Sequence, residues 1–374
     1  MKIAVNTRLL LKDKLDGIGW FSYETLKRIT QNHPEHEFTF IFDRKFSDEF
    51  IFSSNITPVV IPPQSRHPFL WYIYFEWSIT NFLKKQNHDL FFSPDGWISL
   101  KTQTKTLDVI HDINFEHHPD HLPYLYRKYY LHYFSKFAQR ANRIATVSEY
   151  TKQDIVHQYG VSADKIDVVY NGANIKYKPV NDEVKVQTKE QYTNGADYFL
   201  FIGTIHKRKN LHNLILAFDK FKSSTSSNTK LLVIGSIMWG AKELEETLKN
   251  VKHRSDIIFA GRATEEQLIS IIGSSLAMVY PSFFEGFGIP ILEGMYSEVP
   301  VITSNTTSMP EVGGDAALYV EPSSVESITD ALVKIQNQPE LRANLIEKGK
   351  IQRQKFSWDK SAEKLWNSIL KTVE

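Results

Sequence analysis

Glu285 and Glu293 bracket a turn in the segment LAMVYPSFFEGFGIPILEGMY, where a short apolar run ends and a helical pattern opens near Pro290. Gly286 and Gly288 let a ligand approach the backbone closely. The unpaired N–H groups that open the helix point outward at the positive end of its dipole. A phosphate or a sugar fits such a place, and Glu293, a few residues in, could turn its carboxylate toward vicinal hydroxyls such as those of a ribose. The plainer alternative is that both glutamates only complement the helix dipole, and their spacing alone leaves the two readings open.

A second strand exit, YFLFIGTIHKRKNLHNLILAF, sets Gly203 at the end of an apolar run and Arg208 with Lys209 at the start of a helix. Two cations there oppose the dipole unless an anion sits beside them. A pyrophosphate would resolve the conflict; a solvated basic run is the competing reading. In the first half, Gly17 and Gly19 precede an amphipathic helix, although Ser22 breaks the full G-x-G-x-x-G pattern of dinucleotide sites. His111 stands just beyond a buried strand, with Asp112 placed to orient its imidazole. His117, His118 and His121 are interrupted by Pro119 and Pro123 and lack a surrounding ligand set, so they read as surface loop before metal site. Ser148 in SEYT reads as a helix N-cap, and Ser308 with Glu311 in SMPE as a capping box. Asn171 and Gly172 in NGAN read as a turn. The aromatic run FLWYIYFEW (69–77) reads as buried helix, ahead of an acceptor-binding lip or membrane-contact face.

These residues need strands to carry them. Short apolar runs at 3–5, 38–42, 89–92, 107–110, 143–147 and 166–170 alternate with helical stretches, and the rhythm restarts at 198–203, 231–235, 257–261, 276–280, 299–303 and 317–320. Such spacing marks β-α-β units, and continuous apolar runs suit strands covered on both faces. The pattern predicts two doubly wound α/β domains, residues 1–174 and 198–355, with a linker over 175–197. Residues 356–374 predict an amphipathic helix whose Trp358, Leu365, Ile369 and Leu370 need a surface, packing back across the domains.

Composition narrows the partners. Among 374 residues, 44 Lys and Arg face 43 Asp and Glu, and residues 1–174 carry 20 basic and 19 acidic side chains, so neither half offers an electrostatic footprint for nucleic acid. With 42% apolar residues, disorder as the main state is excluded. The absence of cysteine excludes disulfides, thiolate metal sites and cysteine nucleophiles, and fits a reducing, cytoplasmic location. No apolar run approaches the roughly 18 residues of a membrane span, so a soluble or peripheral protein is expected.

Taken in order, GIGWFSYE, VIHDINF, RIATVSEYTKQDI, VVYNGAN, FIGTIHKRKNL, EGFGIPILE, SMPEVGGDAALYV and FSWDKSAEKLW resemble the retaining glycosyltransferases of family 4 over almost the whole chain. The resemblance implies the GT-B fold, two facing Rossmann-like domains with a cleft between them. The form GTxxxRKN resembles a branch that includes bacterial mannosyltransferases of surface polysaccharide assembly, which suggests GDP-mannose, with a UDP-linked donor left open. Residue by residue, Arg208 and Lys209 match the basic pair that neutralises the donor diphosphate in place of a metal, and Gly203 closes the strand before them. Glu293 matches the glutamate that holds the donor ribose. Glu285 and the amides near Gly286, Phe287 and Gly288 match sugar and phosphate contacts, His111 the histidine near the anomeric centre, and Gly19 the loop that approaches phosphates and acceptor. Thr204 departs from the Arg of many members, so one phosphate contact is absent or falls to Arg208. No D-x-D triplet occurs, and neither metal nor separate cofactor is expected. The implied partners are a nucleotide-sugar donor and a saccharide or lipid-linked acceptor. Peripheral contact at the inner face of a membrane and the oligomeric state stay open. A noncatalytic nucleotide-sugar-binding subunit and an NDP-sugar epimerase or phosphorylase are the alternatives on the same architecture.

Overall fold

The β-branched and aromatic runs become strands because crossover helices cover both faces of each sheet. The computed structural model describes residues 1–236 and 241–374. Contacts divide the chain into two units, Met1–Gly172 with Ser357–Glu374, and Ala173–Phe356. The first holds β1 (Lys2–Asn6), β2 (Glu37–Phe42), β3 (Ile56–Val60), β4 (Leu90–Ser93), β5 (Lys105–Ile110), β6 (Arg143–Thr146) and β7 (Ile166–Val168). They pair in the order β3-β2-β1-β4-β5-β6-β7, every pair parallel. The second holds β8 (Tyr198–Ile202), β9 (Lys230–Ile234), β10 (Ile257–Gly261), β11 (Ala277–Tyr280), β12 (Val301–Ser304) and β13 (Ala317–Val320). Their order is β10-β9-β8-β11-β12-β13, again all parallel.

Twelve of these strands coincide with the expected runs. The additional one, β3, contains Pro58 and among the described residues pairs only with β2; proline lacks a ladder donor, so the run breaks in sequence yet is tolerated at an edge. Both sheets follow the doubly wound order. The chain reverses direction of winding between β1 and β4 in one unit and between β8 and β11 in the other, which opens a crevice beyond the carboxyl ends of those strands.

Residues 175–197 are not a bare linker. Asn181 caps helix Asp182–Thr193 by accepting the Val184 N–H, and Thr188 and Thr193 are buried on its inner side. A single apolar stripe was too thin to betray it. Helix Trp358–Val373 belongs to the first unit, against helix Gly17–Asn32. It buries Trp358, Leu365, Trp366 and Ile369, and Trp366 stacks on His33 with ring centroids 3.8 Å apart. Asp359 pairs with Arg28 at 2.5 Å. Gly172 is required at this junction, because a Cβ there would lie 2.4 Å from the Trp358 nitrogen.

Candidate active site

β8 ends at Ile202, and Gly203 follows with φ of +143°, where side-chain-bearing residues rarely go. A Cβ on Gly235, after β9, would lie 1.9 Å from the Gly203 carbonyl oxygen, so these two exits meet backbone to backbone. His206 Nδ1 accepts the Arg208 N–H at 3.2 Å and caps a 3-10 turn over Lys207–Lys209. Asn210 then turns left-handed, with φ of +60°, before helix Leu211–Ser224. Its Nδ2 donates to the carbonyls of Pro281 at 2.9 Å and Pro322 at 2.6 Å, which pins the turn to the exit of β11. The expectation that Arg208 and Lys209 start the helix is thereby corrected: Asn210 separates them from it.

Both cations converge on Glu285. Arg208 Nη1 lies 2.6 Å from Oε2 and donates to the Phe284 carbonyl at 2.6 Å. Lys209 Nζ lies 2.7 Å from Oε1 and donates to the Tyr280 hydroxyl at 2.6 Å. Burial alone would raise the Glu285 carboxyl, but Arg208 and then Lys209 hold it at about 2. Glu285 is therefore an anion near neutral pH and has no proton to give. The basic pair thus has a counter-ion from within the chain.

Gly288, with φ of +104°, opens helix Ile289–Tyr296, and Pro290 sits in its first turn. Phe287 is buried and meets Phe356 edge-on at 5.6 Å. Ser308 is not the cap that its S-x-x-E spacing predicts. Its own backbone is already helical (φ −79°, ψ −11°), and its hydroxyl donates to the carbonyls of Glu285 at 2.8 Å and Phe287 at 3.0 Å. Thr307 accepts the Glu285 N–H at 3.3 Å. The loop after β12 thus fixes the backbone across Glu285, Gly286 and Phe287. Glu293 is set apart from this cluster: burial pushes its carboxyl up to about 7, against a lowering hydrogen bond from Tyr177. Tyr177 is a contact that sequence reasoning missed, since it lies in the tract read as linker.

His111 and Gly19 belong to the first unit, and the other candidates to the second. His111 Nε2 lies 2.8 Å from the Pro94 carbonyl oxygen, which only accepts, so Nε2 carries the proton and Nδ1 the lone pair. Burial lowers this imidazole below its ordinary value and keeps it neutral. Asp112 does not orient it; its Oδ1 accepts the Asn114 N–H at 3.0 Å instead. Gly19 lies in the first turn of helix Gly17–Asn32, not ahead of it, because Asp16 is the cap and accepts the Gly19 N–H at 2.9 Å. A Cβ on Gly19 would press on Leu15 at 3.0 Å. Ser148 caps its helix as expected, bonded by the Thr151 N–H at 3.1 Å. His117 pairs with Asp154 at 2.9 Å, and His118 stacks on His121 at 4.9 Å. Among the described residues no helix is long and apolar enough to cross a membrane.

Residues 184–352 match the family described as glycosyl transferases group 1, and residues 15–177 match glycosyltransferase family 4. O-antigen chain mannosyltransferase B of Escherichia coli is 27% identical over 379 residues, spanning 96% of this chain and 97% of that one. O-antigen chain mannosyltransferase RfbU of Salmonella typhimurium is 30% identical over 275 residues, 73% of this chain and 72% of its own. Among solved structures, Anabaena Alr3699/HepE in complex with UDP and glucose superposes with a TM-score of 0.75 at 15% identity, over 99% of both chains.

Proposed function

Because the chain belongs to the family 4 glycosyltransferases, with the GT-B fold, we propose that it moves mannose from GDP-mannose to a saccharide or lipid-linked acceptor in bacterial surface polysaccharide synthesis. The transfer retains the configuration of the donor carbon and needs no metal ion. The observation that carries the reading is the convergence of Arg208 and Lys209 on Glu285 at the point where the second sheet reverses its winding. A leaving diphosphate gains negative charge as its bond to the sugar breaks, and two fixed cations in a partly buried crevice stabilise that charge without reorganising. They do what a divalent ion does in transferases built on acidic clamps.

Glu285 has a different task from acid catalysis. Held ionised, it orients both cations and offers an acceptor to a sugar hydroxyl. Gly286, Phe287 and Gly288 bring main-chain N–H groups to the sugar and phosphate, and Gly203 lets the diphosphate pass close to the backbone. Glu293 takes the ribose hydroxyls, and those donors favour its charged form. His111, neutral, presents Nδ1 as an acceptor to the transferred sugar near the anomeric carbon, while Gly19 borders the acceptor side. The incoming hydroxyl attacks from the face that the diphosphate leaves, and the departing phosphate oxygen takes its proton. The relatives named as mannosyltransferases support mannose as the sugar.

The test is a thermal-shift panel of GDP-mannose, UDP-glucose and UDP-GlcNAc in EDTA, followed by transfer to saccharide acceptors with the product's anomeric configuration read by NMR. GDP-mannose at a hundred times its Kd is expected to add about 2.7 kcal/mol to stability. A shift that requires a divalent ion, or a product of inverted configuration, would overturn the reading.

A further inference from the structure

The aromatic tract 69–77 is divided between core and surface. Trp71, Tyr74 and Phe75 are buried, whereas Phe69 is 66% and Trp77 58% exposed. Helix Tyr124–Arg140 buries Tyr129, Phe134 and Phe137 and leaves Tyr124, Leu125 and Leu131 exposed. Five of the ten exposed large apolar side chains among the described residues thus fall in two short stretches of the first unit. Isolated exposed apolar residues are ordinary, but a cluster marks a docking place. Between the stretches runs a groove of about 570 Å³ walled by Pro68, Phe69, Tyr72, Leu125, Tyr129 and Tyr133.

The charged side chain that lines this groove is a cation. Helix Tyr124–Arg140 carries Arg127, Lys128, Lys136 and Arg140 and no acidic residue. Lys128 lines the groove itself, with Nζ 4.6 Å from the Tyr124 ring centroid, and Lys136 lies 5.6 Å from that of Tyr133. Lys101 sits 5.5 Å from the Trp77 ring. Arg127 is balanced by Asp120. Apolar walls beside ammonium groups complement an amphiphile: a hydrocarbon chain that ends in phosphate. A second copy of this face would bring like charges together, which opposes self-association.

We infer that this groove holds the lipid tail of the acceptor, an isoprenoid-type chain joined to a phosphate, with Lys128 and Lys136 on the phosphate side. The inference rests on the acceptor half of the proposed function and narrows it to the lipid-linked class. The apolar walls contact the chain along the open groove, and Lys128 at its edge fixes which end carries the phosphate.

The test titrates the full chain with geranylgeranyl monophosphate and follows tryptophan fluorescence, with geranylgeraniol and inorganic phosphate as controls. Saturable binding to the monophosphate is expected, at least about tenfold tighter than to either control. A Phe69→Ser, Leu125→Ser double variant and a Lys128→Glu, Lys136→Glu double variant are each expected to weaken it about tenfold or more. Phe69 and Leu125 are more than half exposed, so the first variant keeps the wild-type Tm, and its response to GDP-mannose is unchanged. Wild-type affinity in both double variants overturns the inference. So does a dimer that the Phe69→Ser, Leu125→Ser change dissociates, or binding to phosphatidylglycerol vesicles through these residues with none to the isoprenoid phosphate. Binding of the isoprenoid phosphate by a chain that responds to no nucleotide sugar leaves the groove assigned and removes the donor reading instead.

Discussion

At the exits of β1 and β4 in the first unit stand Arg8 and Asp95; at the matching exits of β8 and β11 in the second stand Arg208, Lys209 and Glu285. Both crevices therefore hold an ion pair at the same place in the same topology. Arg8 Nε meets Asp95 Oδ2 at 2.7 Å, with side chains 5% and 1% exposed, and the guanidinium lies 4.4 Å over the Trp97 ring. Asn6 Nδ2 adds a bond to Asp95 at 2.8 Å. Arg208 and Lys209 keep 21% and 15% exposure while Glu285 is buried to 8%. One pair is sealed under an aromatic lid and serves the fold; the other leaves its cations partly exposed. Topology decides where a crevice opens, and the packing around its charges decides whether a ligand reaches them.

The sharpest way to break this comparison is to remove one cation from each side. Arg8→Met leaves Asp95 buried without its partner and is expected to cost about 3–5 kcal/mol of folding stability by urea denaturation. Lys209→Met leaves Glu285 paired with Arg208, so stability falls far less, while kcat/KM for transfer drops about 10²- to 10³-fold. Equal losses of stability in the two variants would mean that the two crevices do not differ in kind. Ser308→Ala strips a donor from the carbonyls of Glu285 and Phe287 and is expected to cost about 1–3 kcal/mol. Its donor Kd should also rise, by calorimetry; an unchanged Kd would mean that the loop after β12 does not position the site.

Titration separates the two glutamates. Glu285 sits at about 2, below its ordinary 4.5, so the stability it lends is complete above about 4.5 and lost as pH falls toward 2. Glu293 sits at about 7, above the same ordinary value, so the folded chain holds a proton that the unfolded chain has released. Stability is expected to decline as pH rises from about 4.5 to 7 and to level off beyond, and Glu293→Gln should flatten that decline in thermal melts. If ribose hydroxyls bind the ionised carboxylate, donor binding tightens as pH rises through 7 and releases a proton. Calorimetry in two buffers of different ionisation enthalpy reads that release, and no difference between them would argue against the ribose assignment.

Much of this site was legible because its chemistry sits at strand exits. Gly203, Arg208, Lys209 and Glu285 follow two apolar runs whose strand character is unmistakable, and the doubly wound rhythm brings those runs side by side. What escaped depended on backbone angles and on contacts distant in sequence. Ser308 has the spacing of a cap, yet its helical φ and ψ turn the hydroxyl toward another loop. Asp112 neighbours His111 in sequence, but the Pro94 carbonyl, on a different strand exit, holds the imidazole. Tyr177 reached Glu293 from a stretch too polar to suggest structure, and β3 was hidden by the proline that an edge strand tolerates.

The first unit is interrupted: it stops at Gly172 and resumes at Ser357. On a ribosome adding about 5–20 residues per second, the intervening unit takes on the order of ten seconds or more to emerge. Through that interval the earlier sheet waits without its last helix, with His33 unstacked and the faces that receive Trp358, Leu365 and Ile369 bare to water. The unit begun first is therefore completed only after the second unit has emerged.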